Sequence, residues 1–152
     1  MEVLMDGTVL TDDVGYLLSR ASGLLVRATN AALADHGLRV RSYSALLLAC
    51  DSGDGMSQRD LAEALGLDPS QVVLLVDELA AAGLVERRPS VTDRRTKLVC
   101  ATEAGHAARA SAQRAAAAAH AAQLEELSDD EREQLRGLLG RLVRAGQPVL
   151  RG

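Results

Sequence analysis

The chain has 152 residues and a formal net charge of −4, from 17 basic and 21 acidic side chains; Lys97 is the only Lys and the other basic residues are all Arg. Ala and Leu number 26 each, against two Tyr (Tyr16 and Tyr43) and no Phe or Trp, which favours helices and excludes aromatic stacking platforms for single-stranded nucleic acid. A chain of this length buries about 68–70% of its unfolded surface, so it needs neither metal nor disulfides to fold, and 47% apolar with 25% charged residues excludes disorder by composition.

The first helix is predicted to begin near Thr11, which can N-cap, with Asp12 and Asp13 at the positive helix end. Its apolar stripe (Val14, Leu17, Leu18, Ala21, Leu24, Leu25, Ala28, Ala31, Ala32) runs to about Ala34, and Gly37 ends it. A second helix spans about Val40 to Cys50, and Asp51-Ser-Gly-Asp-Gly55 breaks the chain. Ser57, with Asp60 three residues on, opens a short helix that stops at Gly66. Asp68 as N-cap, Pro69 at the first helical position and Gln71 at the third start the next one, which carries Val72, Val73, Leu75, Val76 and Leu79 and closes at Gly83. Leu84–Arg88 and Lys97–Ala101 are strand-like around the turn-forming Pro89-Ser-Val-Thr-Asp93, a β-hairpin with a long tip. Thr102 and Glu103 start a long Ala-rich helix to about Leu127. Within it, the run 115–122 is read as a close-packed helix interface. Ser128 and Glu131 form a capping box for a last helix with Leu135, Leu138, Leu139, Leu142 and Val143 at i, i+3, i+4, i+7 and i+8.

Two short helices joined by a Gly-containing turn match a helix-turn-helix. Ala62 fits under the turn, Gly66 takes the left-handed conformation, and Val72 faces the same small core. The hairpin that follows makes this a winged helix. From Arg87 to Lys97 there are five basic residues (Arg87, Arg88, Arg94, Arg95, Lys97) and one acid (Asp93), a local net of +4 that leaves −8 for the rest of the chain. Such a cluster neutralises phosphates, and Arg on a hairpin tip can enter a narrow minor groove. The helix N-termini at Ser57 and Asp68 offer backbone N–H groups to phosphate oxygens.

The runs Ser57-Gln-Arg-Asp-Leu-Ala-Glu-Ala-Leu, Leu75-Val-Asp-Glu-Leu, Gly83-Leu-Val-Glu-Arg-Arg, Asp93-Arg-Arg and Thr102-Glu-Ala-Gly105 resemble the MarR family of bacterial transcription regulators. The resemblance is strongest over residues 57–105 and extends to the whole chain through the helix order and the His36-Gly37-Leu38 step. It implies a mainly α fold with a small β-hairpin wing: one domain over 1–152, with a winged-helix DNA-binding lobe at 55–101 and a helical dimerisation lobe at 8–52 and 102–146. It implies further a homodimer that binds a palindromic operator in double-stranded DNA, two winged helices entering successive major grooves. Carried over residue by residue, Ser70, Gln71 and Val73 approach base edges, where Gln can pair with adenine and an apolar group can meet a thymine methyl. Arg59 and Arg88 join the DNA-binding set with Arg94, Arg95 is the minor-groove residue, and Asp93 orients the wing. Family members often carry Arg at the position of Leu74. Here the recognition helix holds only Asp68, Asp77 and Glu78 as charged residues, which shifts the expected affinity toward the wing and backbone contacts.

The resemblance also implies a small aromatic or anionic effector between the two lobes, with Tyr16 and Tyr43 as pocket candidates beside Arg20, Arg27 and Arg41. Two other readings of the sequence are a winged-helix protein-interaction module without DNA binding and a thiol-based redox-sensing regulator. Cys50 and Cys100 stand alone, as two buried thiols of a reducing compartment would. His106 and His120, 14 residues apart on one helix, are too distant to share an ion. The Asp51–Asp54 loop falls short of an EF-hand. No phosphate loop, nucleophile elbow or cofactor motif is present, so neither catalysis nor a cofactor is expected. The first ten residues have no signal-peptide pattern and no apolar run reaches membrane length, so a cytoplasmic protein is expected.

Overall fold

The computed structural model describes residues 9–146. A short 3₁₀ turn over Val9–Asp12 precedes helix α1 (Val14–Leu33). The N-cap is Asp13, not Thr11: its carboxylate accepts the amide of Tyr16 at 2.7 Å, because the 3₁₀ turn uses up the residues before it. After a second 3₁₀ turn, Gly37 takes φ 66°, and α2 covers Val40–Asp51. Asn30 on α1 closes the junction by accepting the amide of Val40 at 2.8 Å.

The helix-turn-helix follows as α3 (Gln58–Leu65) and α4 (Pro69–Ala81). Ser57 caps α3 through its hydroxyl, which accepts the Asp60 amide at 3.1 Å. Gly66 is left-handed at φ 64°, and the Leu67 amide returns to the Ala62 carbonyl at 2.9 Å. Ala62, Val72, Val76 and Leu79 lie buried between the two helices with Leu61, the small core expected from the spacing. Ser57→Ala is expected to lower stability by about 1 kcal/mol through the lost cap, measured by denaturant titration.

Strands β2 (Val85–Pro89) and β3 (Lys97–Ala101) form the hairpin. A third strand absent from the sequence reading, β1 (Met56–Ser57), pairs antiparallel with β3 through Met56↔Val99, giving the order β1-β3-β2. Pro89 falls on the edge strand, where its missing N–H breaks no ladder. Gly55 takes φ 99°, and a Cβ there would lie 2.6 Å from the Cys100 sulfur, so the entry to β1 admits only Gly.

Helix α5 spans Glu103–Gln123 and ends four residues before the expected Leu127, in a turn that leads to α6 (Asp129–Gly146). Thr102 caps α5 while its hydroxyl donates to the Gly83 carbonyl at 2.6 Å. A Cβ on Gly105 would stand 2.0 Å from the Leu84 carbonyl oxygen. The Thr-x-x-Gly start of α5 is therefore a close fit of helix onto wing base. Helix α5 packs along α1. Within the Ala run only Ala116 is buried, together with Ala112 before it, while Ala117, Ala118, Ala121 and Ala122 face solvent, so one edge of that run makes the interface.

The core gathers Leu33, Leu46, Leu61, Val72, Val76 and Val99 from α1, α2, the helix-turn-helix and the sheet. Two faces stay outside it. No described residue of α6 is buried, and Leu138, Leu139, Leu142 and Val143 are exposed. On α1 only Thr29 and Leu33 are buried, leaving Val14, Leu17, Leu18 and Leu24 open.

A candidate DNA interface on helix α4 and the wing

The recognition-helix candidate α4 begins with the capping box read from the sequence. The Gln71 side-chain oxygen accepts the Asp68 amide at 3.1 Å. Gln71 is thus exposed, but one end of its amide is engaged in the cap. Ser70, Val73 and Leu74 are exposed as well, on the side of α4 away from Val72, Val76 and Leu79. Arg59 is exposed in the first turn of α3.

The basic cluster divides in two. Val85 and Arg87 share one face of β2, and that face is turned toward the helices. The Arg87 guanidinium donates to Asp77 of α4 at 2.6 Å and to Gln58 of α3 at 2.9 Å, with only 27% of its side chain exposed. Arg88, on the opposite face, pairs with Glu86 two residues away. Arg94, Arg95 and Lys97 have no ion-pair partner among the described residues. The positive field is therefore concentrated at the wing tip, while Arg87 fastens the wing base to both helices of the helix-turn-helix. The sequence reading counted Arg87 only as charge; its partners lie 10 and 29 residues away and left no local signal.

Asp93 holds the tip in shape. Its carboxylate accepts the Arg95 amide at 3.0 Å and the Thr96 hydroxyl at 3.3 Å, and its carbonyl accepts the Thr96 amide at 3.0 Å. Ser90 supports the other side by accepting the amides of Thr92 and Asp93. This Asx-type turn projects Arg94 and Arg95 into solvent.

Tyr16 and Tyr43 sit in different surroundings. Tyr43 is buried in the core, where burial pushes its phenol up and the charge of Arg109 opposes the shift. Tyr16 is half-buried in the first turn of α1. A cleft of about 530 Å³ opens instead between α1, the start of α2 and α4, lined by Val26, Asn30, Arg39, Arg41, Leu75 and Glu78 and by neither tyrosine. Of the arginines considered with them, Arg41 alone lines it.

Both thiols are buried. Burial pushes the Cys50 thiol up, reinforced by Asp51 and opposed by Arg109, so its thiolate fraction falls. Cys100 points at the Asp54 carbonyl at 3.5 Å. Asp51 is paired to Arg109 at 2.6 Å, and no group of three or more metal-ligating side chains occurs among the described residues. No helix of the described residues is long and apolar enough to cross a membrane.

A MarR family model matches residues 36–96. The chain is 47% identical to CouR of Rhodococcus jostii, whose crystal structure is bound to p-coumaroyl-CoA; the match covers 90% of this chain and 95% of CouR, with a TM-score of 0.82. A transcriptional repressor CouR bound to a 23-mer DNA duplex matches with 30% identity and a TM-score of 0.83, over 92% of this chain and 98% of that one. An HTH-type transcriptional repressor of Mycobacterium bovis is 30% identical over 135 residues, 88% of this chain and 96% of the repressor. A further alignment, 37% identical over 99 residues, spans 65% of this chain and 60% of a regulatory protein for the hcr operon of Thauera aromatica.

Proposed function

The chain belongs to the MarR family of transcription regulators, and from that premise we propose that it is a ligand-responsive repressor that binds a palindromic operator as a homodimer in the cytoplasm. The observation that carries this reading is the pairing of an exposed α4 face with a wing whose unpaired cations sit at its tip. The winged-helix lobe of residues 55–101 presents Ser70, Gln71 and Val73 to base edges, Arg59, Arg88 and Arg94 to phosphates, and Arg95 to the minor groove, with Asp93 setting the geometry of the tip. The lobe of 8–52 and 102–146 supplies the dimer. The uncovered apolar faces of α1 and α6 are what a two-fold interface would bury.

The effector belongs in the cleft between α1, α2 and α4. It has two guanidinium groups, Arg39 and Arg41, against an apolar wall of Val26 and Leu75, which suits an aromatic anion; CouR is bound to p-coumaroyl-CoA. Leu75 and Glu78 bring α4 itself into the lining, so an occupant would bear directly on the DNA-reading helix. The task is binding, with no catalytic step and no cofactor.

Fluorescence anisotropy of the protein against the DNA upstream of its own gene, at several salt concentrations, tests the reading. Binding tighter than to random duplex, weakening with salt, is the expected result. Affinity no tighter than for random duplex would overturn it, and an intact dimer with no DNA affinity at low salt would leave the protein-interaction module as the better reading. In the same assay Arg95→Ala is expected to cost about 1–3 kcal/mol of operator affinity with thermal stability unchanged, since the side chain is exposed and has no ion-pair partner among the described residues.

A further inference from the structure

We propose that α4 reads its half-site through thymine 5-methyl groups, met by Leu74 and Val73, and that the core of each operator half-site is A·T rather than G·C. The inference deepens the DNA-binding reading above and rests on it.

Ser70, Leu74, Asp77 and Ala81 follow one another at i, i+4, i+7 and i+11 on α4, opposite the buried Val72, Val76 and Leu79. They form the ridge that points away from the core. The polar groups on or beside this ridge are largely committed. The Asp77 carboxylate holds Arg87 at 2.6 Å, the Gln71 oxygen closes the cap at Asp68, and Glu78 lines the α1–α2 cleft. The commonest guanine contact is an Arg or Lys bidentate to O6 and N7, and Pro69–Ala81 contains neither residue. What the ridge and its flank offer uncommitted is the Ser70 hydroxyl, the amide nitrogen of Gln71 and two apolar side chains, Leu74 at 64% and Val73 at 38% exposed. Neither packs in the core. Among the features that base edges present in the major groove, the apolar one is the C5-methyl of thymine. An apolar ridge without cations therefore discriminates for thymine by shape and desolvation, while the charge that holds the duplex comes from the wing.

The test is in two steps with the full-length dimer. Selection from a pool of random duplexes is expected to enrich half-sites with T·A pairs at their centre. Each thymine of the selected site is then replaced by deoxyuridine, which deletes the methyl and leaves hydrogen bonding and phosphate charge as they were. Affinity is expected to fall about fourfold per contacted methyl, the value of one buried methyl group, with an unchanged salt slope because no phosphate contact is altered. Leu74→Ala, at an exposed position that leaves folding intact, should abolish the deoxyuridine effect at one position of each half-site and keep it at the others. Half-sites centred on G·C, or affinities indifferent to deoxyuridine throughout, would overturn the proposal while leaving the protein a DNA-binding regulator. A pool that yields no enriched sequence would instead remove the DNA-binding reading, and this inference with it.

Discussion

Replacing Leu142 and Val143 together by Glu is expected to convert the protein to a monomer and to weaken operator binding on the order of a hundredfold or more. Both side chains are exposed on α6, a helix with no buried residue of its own, yet they continue an i, i+3, i+4, i+7, i+8 apolar stripe from Leu135. A helix patterned for burial but left uncovered in one chain needs a second chain to cover it. Two-fold symmetry doubles every substitution, so the pair removes four apolar contacts, each worth about 1.5–3 kcal/mol of burial, and places four carboxylates in the interface. Loss of the dimer converts binding of the second half-site from an intramolecular to a bimolecular event, which is the source of the large factor. Sedimentation velocity reads the mass and anisotropy the affinity. A variant that remains dimeric with full affinity would place the interface elsewhere.

The second large effect falls on a residue remote from DNA. Gly105→Ala should destabilise the fold by about 3 kcal/mol, toward the upper end of overpacking costs, and lower Tm by roughly 6–12 °C for a chain of this size. Helix propensity alone argues the reverse, since Ala in place of Gly is worth up to about 1 kcal/mol within a helix. The contact decides the sign. The new Cβ would stand 2.0 Å from the Leu84 carbonyl oxygen, which is backbone already accepting the Thr102 amide. It cannot yield without pulling the wing strand away from α5. Gly137→Ala is the control: nothing lies within 4 Å of its added Cβ and it sits on the face of α6 away from the apolar stripe, so there propensity should win and stability rise by up to about 1 kcal/mol. Thermal melts of the two variants side by side test the argument, and equal shifts in the same direction would refute it.

What could be read from the sequence was what neighbouring residues decide among themselves. The caps at Ser57, Asp68, Thr102 and Ser128 each satisfy helix ends through a partner three residues on, so their signals sit in four-residue windows. The turn at Gly66 and the hairpin boundaries have the same local character. The misses share the opposite character. Strand β1 is two residues long and exists because Met56 finds Val99 across 43 residues of chain. The reason for Gly at 105 is a carbonyl 21 residues earlier. Arg87 looked like one more cation of the wing until Asp77 and Gln58 came within reach. For the candidate site the same division holds: the residue types were legible, their availability was not. Gln71 and Arg88 are DNA-contact candidates by residue type, and each also has a partner within its own segment, the Asp68 amide and Glu86. The α1–α2–α4 cleft, assembled from three separate helices, left no periodic trace.

The bond from Arg87 to Asp77 and Gln58 also limits how the protein can be switched. It crosses from the wing to both helices of the helix-turn-helix, and the Asp93 turn stiffens the tip beyond it. On the reading proposed above, the major-groove and minor-groove contacts would then move together as one piece, tied by this bond. A ligand acting on such a piece can tilt or translate it whole but cannot alter the angle between its two contacts. The adjustable quantity is then the span between the two pieces across the dyad, which DNA fixes at about one helical turn, 34–36 Å. On that reading the regulator would behave as a pair of calipers with rigid jaws: the effector would set the gap, and an operator whose spacing no longer matches would be released at both half-sites together.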